Sequence, residues 1–337
     1  MLSIVIPIYN QDVRPLVYTL MKQCNKLDIM YQILCFDDCS DQKYRDLNNE
    51  LAHKIHVNYT EMTENLGRSR IRNWLGKSAY YDYVLFLDGD SAVKSRDFIK
   101  NYVKLLPFDG VICGGRDYAP GKPRSKKKLL HWKYGRKRES LPAKKRNRDP
   151  WLNFHSNNFM IPEKIFRENL FDEKVTGYGY EDLLYAHRLA EKGIRIWHTD
   201  NPVRHEGIES TTEFLKKNRH ATENLAKLYH DKKIPPTRLI NTYLKLKNWG
   251  MVMWFEKMYG KYEQRINQNL VSENPSVTLF NVWKLHLFIE NITKLNSNKK
   301  ENEQRPLSST RKKEVVTKKQ GSKPVSPNLW QIQSNTV

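Results

Sequence analysis

Two carboxylates stand one residue apart directly after an apolar run in the first third of the chain. Residues 83 to 90 read Tyr-Val-Leu-Phe-Leu-Asp-Gly-Asp, so Asp88 and Asp90 follow a segment typical of a buried strand. In open α/β sheets, ligands bind at the carboxyl ends of such strands. Two carboxylates around a glycine can turn toward one divalent cation, whose other ligands would be diphosphate and water. An ordinary Asp-Gly turn has the same local sequence, so this pattern alone leaves both interpretations open.

A second acidic pair, Glu181 and Asp182, stands at the start of a predicted helix that ends at Gly193. The positive end of a helix dipole favours an ionised carboxylate, and this suits a general base. Acidic residues are also common in the first turn of helices that have no catalytic role. The sequence around Asp182 therefore leaves both interpretations open.

The elements that must position these residues follow from the hydrophobic pattern. Predicted strands alternate with predicted helices, which indicates right-handed βαβ units on a parallel sheet. The strands cover residues 2–6, 31–36, 56–59 and 83–87, and the helices cover 13–27, 43–52 and 66–77. Because the carboxyl ends of parallel strands meet at one edge, Asp38 and Asp88 are expected to share a crevice. The chain has no glycine-rich phosphate loop, so a metal and side chains must meet the phosphate charge.

Six ordered motifs carry a resemblance to glycosyltransferase family 2 over residues 1 to 210. They are Pro7-Ile-Tyr9-Asn, Asp37-Asp38-Cys-Ser, Asn65-Leu-Gly67 with Arg72-Asn73, Asp88-Gly-Asp90, Gly-Tyr-Glu181-Asp182 with Arg188-Leu189, and His205. The resemblance implies the α/β fold class of the GT-A type, the Rossmann-like fold of nucleotide-diphospho-sugar transferases. Its mixed, mainly parallel sheet is flanked by helices, and this chain would add a C-terminal helical appendage.

The resemblance implies an inverting, metal-assisted transfer of a sugar from a nucleotide-diphosphate donor to a hydroxyl of a glycan or lipid-linked glycan. The chain is most similar to bacterial enzymes that make capsule, lipopolysaccharide or exopolysaccharide. Asp182 matches the catalytic base, and Glu181 matches a residue that positions hydroxyl groups. Asp90 and His205 match the ligands of Mn²⁺ or Mg²⁺, with Asp88 as a possible third. An imidazole ligand suits Mn²⁺ better than Mg²⁺.

Further positions that match the family concern the donor and the acceptor. The nucleotide-sugar positions are Pro7, Tyr9, Asp38, Arg72 and Asp88. A carboxylate at Asp38 can accept a hydrogen bond from a uracil N–H, which favours a UDP-sugar. The acceptor positions are Trp151, His155, Asn157 and Asn158, and packing in the core would explain each of these equally well. His131, His187, His198 and His220 are interpreted as structural.

The positive charge of the chain is concentrated in two segments. The formal net charge is +21, of which residues 122–148 carry +12 and residues 291–337 carry +7. These segments divide the chain into a GT-A domain at residues 1–211 with a flexible basic loop at 120–149, a helical extension at 212–295, and a disordered basic tail at 296–337. The four cysteines lack metal-type spacing, which is typical of small buried side chains in a reducing compartment.

Three functions compete for this pattern. The first is a cytoplasmic glycosyltransferase that is peripheral on the inner face of the cell membrane, with a polyprenyl-diphosphate-linked or other glycan acceptor. Residues 122–148 and the C-terminal region would then contact anionic headgroups. The second is a basic nucleic-acid-binding protein, but the near-neutral core offers no folded platform of interleaved basic and aromatic residues. The third is an inactive glycosyltransferase-like scaffold, which the presence of Asp88, Asp90, Asp182 and His205 disfavours.

Overall fold

Ten short strands and twelve α-helices make up the regular structure of residues 1–175 and 179–304, which the computed structural model describes. The strands are β1 Leu2–Ile8, β2 Tyr31–Asp37, β3 Val57–Glu61, β4 Tyr83–Leu87, β5 Ser91–Ala92, β6 Val111–Cys113, β7 Arg116–Asp117, β8 Asn158–Pro162, β9 Ile196–His198 and β10 Val203–His205. The helices are α1 Arg14–Leu27, α2 Gln42–Asn48, α3 Gly67–Ser78, α4 Phe98–Val103, α5 Leu129–Tyr134, α6 Ala143–Arg146, α7 Glu163–Glu168, α8 Glu181–Glu191, α9 Thr211–His230, α10 Arg238–Asn248, α11 Val252–Leu270 and α12 Val277–Gln304. Residues Met1–Asn296 form one compact unit.

The central sheet is mixed and mainly parallel, as the resemblance implies. Seven strands of the described chain lie in the order β3-β2-β1-β4-β8-β6-β9, and only β8 runs antiparallel to its neighbours. A second sheet has the order β5-β10-β7. The register pairs Ile4 with both Ile33 of β2 and Leu85 of β4, so three apolar strands lie side by side in the core. The predicted α/β architecture is confirmed.

Two apolar clusters cover the two faces of the central sheet. On one face, α1 buries Leu16, Val17, Leu20 and Cys24 with α4 against β1 and β2. These positions recur at helical spacing, which is why the segment forms an amphipathic helix. On the other face, α3, α7 and α8 enclose an aromatic group around Phe159. A structure with both faces covered explains why the strands read as continuous apolar runs.

The basic segment at residues 120–149 differs from the flexible loop that the sequence predicts. It contains α5, a π-helical turn at Gly135–Glu139 and α6, and it buries Leu129, Leu130 and Trp132. Arg146 fastens it to the sheet by donating to the carbonyl oxygens of Cys113, Gly114 and Thr199. The scattered apolar residues find their partners in distant helices, because Leu130 packs in a cluster with Phe214 and Phe280. The local hydrophobic pattern of the sequence does not show that these residues pack against distant helices.

The C-terminal helices pack on the rest of the unit rather than standing apart from it. Leu183 and Leu184 of α8 share an apolar cluster with residues of α9, α10 and α12. Helix α12 extends to Gln304, beyond the predicted end of the helical extension at residue 295. The remainder of the predicted tail, residues 305–337, lies outside the described residues. None of the described helices is both long enough and apolar enough to cross a membrane.

We expect Gly76→Ala to destabilise the protein, because Gly76 of α3 lies directly on Phe166. A Cβ at Gly76 would stand 2.0 Å from Phe166 Cε1, and Phe166 is fully buried against other rings. Overpacking of this kind costs about 1–3 kcal/mol in the free energy of unfolding. Gly260→Ala in α11 is the matched control, since nothing lies within 4 Å of its Cβ position. The control should gain up to about 1 kcal/mol from helix propensity. Urea denaturation followed by circular dichroism measures both, and equal midpoints would contradict the packing assignment.

Candidate active site

The carboxyl ends of the parallel strands meet at one edge, as predicted. Because β1 lies between β2 and β4, residues 9, 38 and 88 follow adjacent strand ends. Tyr9 is exposed there, while Asp38 is buried. The Asp38 carboxylate accepts the backbone N–H of Leu66 at 2.6 Å and that of Gly67 at 3.0 Å, so it caps the start of α3. Burial raises the pKa of Asp38 against the opposing effect of these two hydrogen bonds.

Arg72 connects the strand edge to the start of α8. Its guanidinium is buried, donates to Asp88 Oδ1 at 2.7 Å and lies 3.9 Å from Glu181 Oε1. Arg68, one helical turn earlier on α3, lies 3.4 Å from the same Glu181 oxygen. Asp88 thus faces arginines, and the structure does not pair it with His205. Its predicted role in the nucleotide site stays a proposal, and its role as a metal ligand has no direct support in this geometry.

Arg116 is a second cation at this edge, half-buried, and no sequence motif indicates it. It stands in β7 after two glycines, donates to Glu139 Oε2 at 3.1 Å and lies 3.9 Å from Asp88 Oδ2. Tyr118 also donates to Glu139. Burial would favour the neutral acid, but Arg116 and the hydrogen bond lower the pKa of Glu139 to about 2. The basic segment therefore brings an ionised carboxylate, Glu139, to the site.

Asp90 and His205 lie side by side because two short strands align them. β10 pairs antiparallel with β5, placing His205 opposite Ser91, and the N–H of Glu206 donates to the Asp90 carbonyl at 2.9 Å. His205 Nδ1 then stands 3.3 Å from Asp90 Oδ2. Although burial favours the neutral acid, the imidazole holds the pKa of Asp90 below its usual range. Two residues separated by more than a hundred positions thus form one pair.

The donor set of this pair fits a divalent cation. Asp90 Oδ1 and His205 Nδ1 are both buried, and neither makes a hydrogen bond within the described residues. A buried polar atom without a partner is costly, and coordination to a metal would remove that cost. An oxygen and an imidazole nitrogen suit Mn²⁺. No group of three or more metal-ligating side chains occurs in the described residues, so other ligands would have to come from the substrate and water.

The acidic pair at the start of α8 lines the same cavity as the metal candidates. Gly179 and Tyr180 have φ angles of 92° and 70°, and this left-handed turn leads into α8. Asp182 Oδ1 accepts the N–H of Leu183 at 2.7 Å, and its Oδ2 stands 3.8 Å from His155 Nδ1. Burial opposes ionisation of Asp182, but the adjacent His155 and the N–H of Leu183 lower its pKa. Gly177 and Tyr178 of the same motif lie outside the described residues.

Asp88, Asp90, His205 and the acidic pair line one polar cavity of about 280 Å³, whereas Tyr9, Asp38 and Arg72 are not among its lining residues. Its wall contains six carboxylates from the described chain, namely Asp88, Asp90, Glu139, Glu181, Asp182 and Glu209. Four cations also line it, namely Arg68, Arg116, Lys217 and Lys284. The last two come from α9 and α12, so the C-terminal helices form part of the wall. The cavity can therefore hold a cation, a diphosphate and polar hydroxyl groups together.

Only two of the four predicted acceptor residues line this cavity. His155 and Asn157 do so, and the intervening Ser156 does as well. Asn158 is buried in the core, where its amide donates to the carbonyl oxygens of Gly115 and Asn201 and accepts from Tyr102. Trp151 packs among apolar residues of two clusters. We therefore remove Trp151 and Asn158 from the acceptor candidates, since both side chains serve core packing.

His131 also lines the cavity, although the sequence interpretation treated it as structural. Its ring stacks on Phe214 with centroids 4.4 Å apart and lies 5.4 Å from the ring of His205. Nδ1 accepts the backbone N–H of Glu209, and burial lowers the pKa of His131 to about 3. The ring is therefore neutral at physiological pH. It packs beside His205 and so restricts the position of that ring.

We expect Gly207→Ala to weaken Mn²⁺ binding, because an alanine Cβ would stand 2.6 Å from Asp90 Oδ2. The carboxylate would have to move away from His205. Displacing a group that orients a ligand typically lowers metal affinity about tenfold or more. Titration followed by the electron paramagnetic resonance of free Mn²⁺ measures this. Gly121→Ala, with nothing within 4 Å of its Cβ position, is the control. An unchanged affinity in Gly207→Ala would remove Asp90 from the metal site.

Comparisons with known proteins agree with this architecture. A solved structure with similar fold is the mannosyltransferase PcManGT from Pyrobaculum calidifontis in complex with GDP-Man and Mn²⁺, with 16% identity, a TM-score of 0.52, and coverage of 89% of this chain and 87% of that chain. S. aureus TarS 1-349 aligns at 15% identity and a TM-score of 0.46, covering 89% of this chain and 91% of that chain. A search of curated proteins finds no significant match. The profile of Glycosyl transferase family 2 matches residues 3–172, half of the chain, so the protein belongs to this family and has its GT-A fold.

Proposed function

We propose that the protein transfers a sugar from a nucleotide-diphosphate donor to a glycan hydroxyl by a single displacement that inverts the anomeric carbon. The observation that carries this proposal is the placement of Asp182 in the same cavity as Asp90 and His205. A base and a site for the leaving diphosphate must flank the reacting carbon in such a displacement. The cavity supplies both from elements far apart in the chain.

Asp182 is the proposed general base. Its lowered pKa keeps the carboxylate ionised at neutral pH, and the N–H of Leu183 fixes one of its oxygens. The second oxygen, beside His155, would accept the proton of the acceptor hydroxyl as that oxygen attacks. Glu181 would position a sugar hydroxyl, because its Oε1 faces Arg68 and Arg72 whereas its buried Oε2 has no hydrogen-bond partner in the described residues. A hydroxyl donor from the substrate would satisfy that atom.

Asp90 and His205 would hold the divalent cation, which supplies charge neutralisation for the departing diphosphate when it is bound. Arg116 is half-buried beside Asp88, and desolvation does not neutralise it because nearby acidic groups raise its pKa well above the usual value. It would add a fixed positive charge on the same side. We expect Mn²⁺ rather than Mg²⁺, because an imidazole nitrogen is one of the two proposed protein ligands.

The donor is proposed to be a UDP-sugar, with its base at the strand edge near Pro7, Tyr9 and Asp38. Both Asp38 oxygens already accept backbone N–H groups, so a uracil N–H would use a remaining lone pair. Arg72 and Asp88 would lie toward the ribose and the diphosphate. The similar PcManGT structure contains GDP-Man and Mn²⁺, so a guanine nucleotide belongs in any test of the donor.

The acceptor is proposed to be a glycan, free or carried on polyprenyl diphosphate, in the assembly of capsule, lipopolysaccharide or exopolysaccharide. His155 and Asn157 are the acceptor candidates that the structure retains, because both line the cavity near Asp182. Lys217 and Lys284 stand in the wall contributed by the C-terminal helices. Their positive charge would suit the diphosphate of a lipid-linked acceptor. Such an acceptor would place the protein on the inner face of the cell membrane.

The proposed reaction can be tested with a panel of UDP-, GDP- and dTDP-sugars, measured as release of nucleoside diphosphate with Mn²⁺, with Mg²⁺ and with a chelator. We expect metal-dependent release from a UDP-sugar, increased by a lipid-linked acceptor, and a product of inverted anomeric configuration by NMR. Salt-sensitive binding to RNA or DNA without release from any donor would instead favour the nucleic-acid-binding alternative.

We expect Asp182→Asn to lower turnover by about a hundredfold or more, since an amide cannot accept the proton. Asparagine can still accept the N–H of Leu183, so donor affinity measured by calorimetry should stay unchanged. Glu191→Gln, at the exposed other end of α8, is the control and should retain full turnover. If Asp182→Asn turned over as fast as this control, Asp182 would not be the base.

A further inference from the structure

A group of large apolar side chains is exposed where α10 meets α11. Trp249, Met253 and Trp254 have exposed fractions of 68%, 83% and 56%, whereas most aromatic residues of the chain are buried or half-buried. The connection between the two helices is short, with Gly250 at a positive φ of 68°. The three exposed side chains thus fall within six residues at the turn between α10 and α11. We name this group the hairpin patch.

Basic residues surround the hairpin patch. Lys245 and Lys247 are exposed at the end of α10, and Lys257 and Lys261 are exposed on α11. Lys257 and Lys261 follow Trp254 by three and seven residues, so they lie on the same side of the helix. Residues 238–265 contain six Lys or Arg and only two acidic residues, of which Glu256 is paired with His286. Exposed tryptophan beside lysine is the composition of a surface that enters the headgroup region of a bilayer.

An apolar groove continues from the hairpin patch along α11. Met258 and Tyr262 follow Trp254 at steps of four, and both line a groove of about 320 Å³ between α11 and α12. Phe255, Ile266, Leu279 and Val282 complete a wall that is almost entirely apolar. Lys261 and Arg265 lie over the ring of Tyr262, so their charges flank the groove. An apolar channel bordered by cations suits the acyl chain and the anionic headgroup of a lipid.

We propose that the hairpin patch is a membrane anchor that inserts Trp249, Met253 and Trp254 into an anionic lipid surface. Charge complementarity identifies the occupant, because a second copy would bring the same lysines together and repel itself. The basic segment contributes at most a general attraction. Its lysines are exposed, but its large apolar residues Leu129, Leu130 and Trp132 are buried and unable to insert.

The hairpin patch is distant from the basic segment, which is where positive charge alone would place a membrane contact. Lys126 and Lys133 of the basic segment contact Glu273, Asn274 and Pro275, which follow the C-terminal end of α11. The hairpin patch lies at the N-terminal end of α11, and nineteen residues of helix separate the two ends. At 1.5 Å per residue this is about 28 Å. Variants in the two regions therefore test separate contacts.

Sedimentation of the full chain with vesicles tests the anchor without any measurement of activity. Wild-type protein should sediment with vesicles of phosphatidylcholine mixed with phosphatidylglycerol and much less with phosphatidylcholine alone. The double variant Met253→Ser/Trp254→Ser should bind about tenfold or more weakly, because two apolar side chains no longer enter the bilayer. Trp74→Ser, which changes a 48% exposed tryptophan on α3, is the matched control and should bind as wild type does.

A second pair of variants separates insertion from general attraction. Lys257→Gln/Lys261→Gln should weaken binding by roughly fivefold per lysine at low salt. Lys127→Gln/Lys128→Gln in the basic segment should have a smaller effect. Quenching of tryptophan fluorescence by brominated lipid should fall in Trp254→Ser and persist in Trp74→Ser, as insertion requires.

The anchor is overturned if wild type fails to bind anionic vesicles, or if Met253→Ser/Trp254→Ser binds as Trp74→Ser does. It is also overturned if only the Lys127 and Lys128 changes abolish binding. A wild-type dimer that becomes monomeric in Met253→Ser/Trp254→Ser, with no vesicle binding, would identify the patch as a contact between copies. The proposal rests on the proposed function only through the choice of an inner membrane surface. Vesicle binding can fail while sugar transfer succeeds, and the reverse, so the two failures are distinguishable.

Discussion

The site depends on the neutralisation of carboxylates that the fold forces into one cavity. Six acidic side chains line about 280 Å³, and like charges at such distances would oppose both folding and ionisation. Arg72 and Arg116 offset this repulsion by pairing with Asp88, Glu181 and Glu139. Removing one partner of the buried Arg72–Glu181 pair would leave an uncompensated charge and cost about 3–5 kcal/mol. These arginines therefore compensate the carboxylates and set the charge pattern of the cavity.

Some buried polar atoms of the cavity have no hydrogen-bond partner in the described part of the protein, and these are atoms that the proposed reaction would use. Asp90 Oδ1, His205 Nδ1 and Glu181 Oε2 are buried and make no hydrogen bond within the described chain. Each such atom costs about 1–3 kcal/mol in an isolated protein. The cost is understandable where a metal ion and substrate hydroxyls would provide the missing partners. The paired arginines fix the positions of the carboxylates. The atoms without partners mark the positions where ligands are expected.

Segments outside the central sheet complete the cavity. The basic segment contributes His131 and Glu139, and α9 and α12 contribute Lys217 and Lys284. These parts pack together through Leu130, Phe214 and Phe280, so this side of the cavity has its own apolar core. The hairpin patch stands where α10 meets α11, so the C-terminal helices contribute both to the cavity and to the exposed surface.

The sequence by itself determined the first four strands, the helices between them and the start of α8, because apolar periodicity is a local property. Its motifs also identified Asp38, Asp88, Asp90, Glu181, Asp182 and His205 as candidate site residues. It also predicted correctly that parallel strand ends would meet at one edge. The pairing of Arg116 with Glu139, the place of His131, the burial of Asn158 and the packing of the half-buried Trp151 were decided only by tertiary structure. Those contacts join residues far apart in the chain, and so does the packing that turned a Lys- and Pro-rich segment into short helices. The local sequence pattern determines the secondary-structure preference of each segment. Burial and charge pairing depend instead on which distant surfaces the fold brings together.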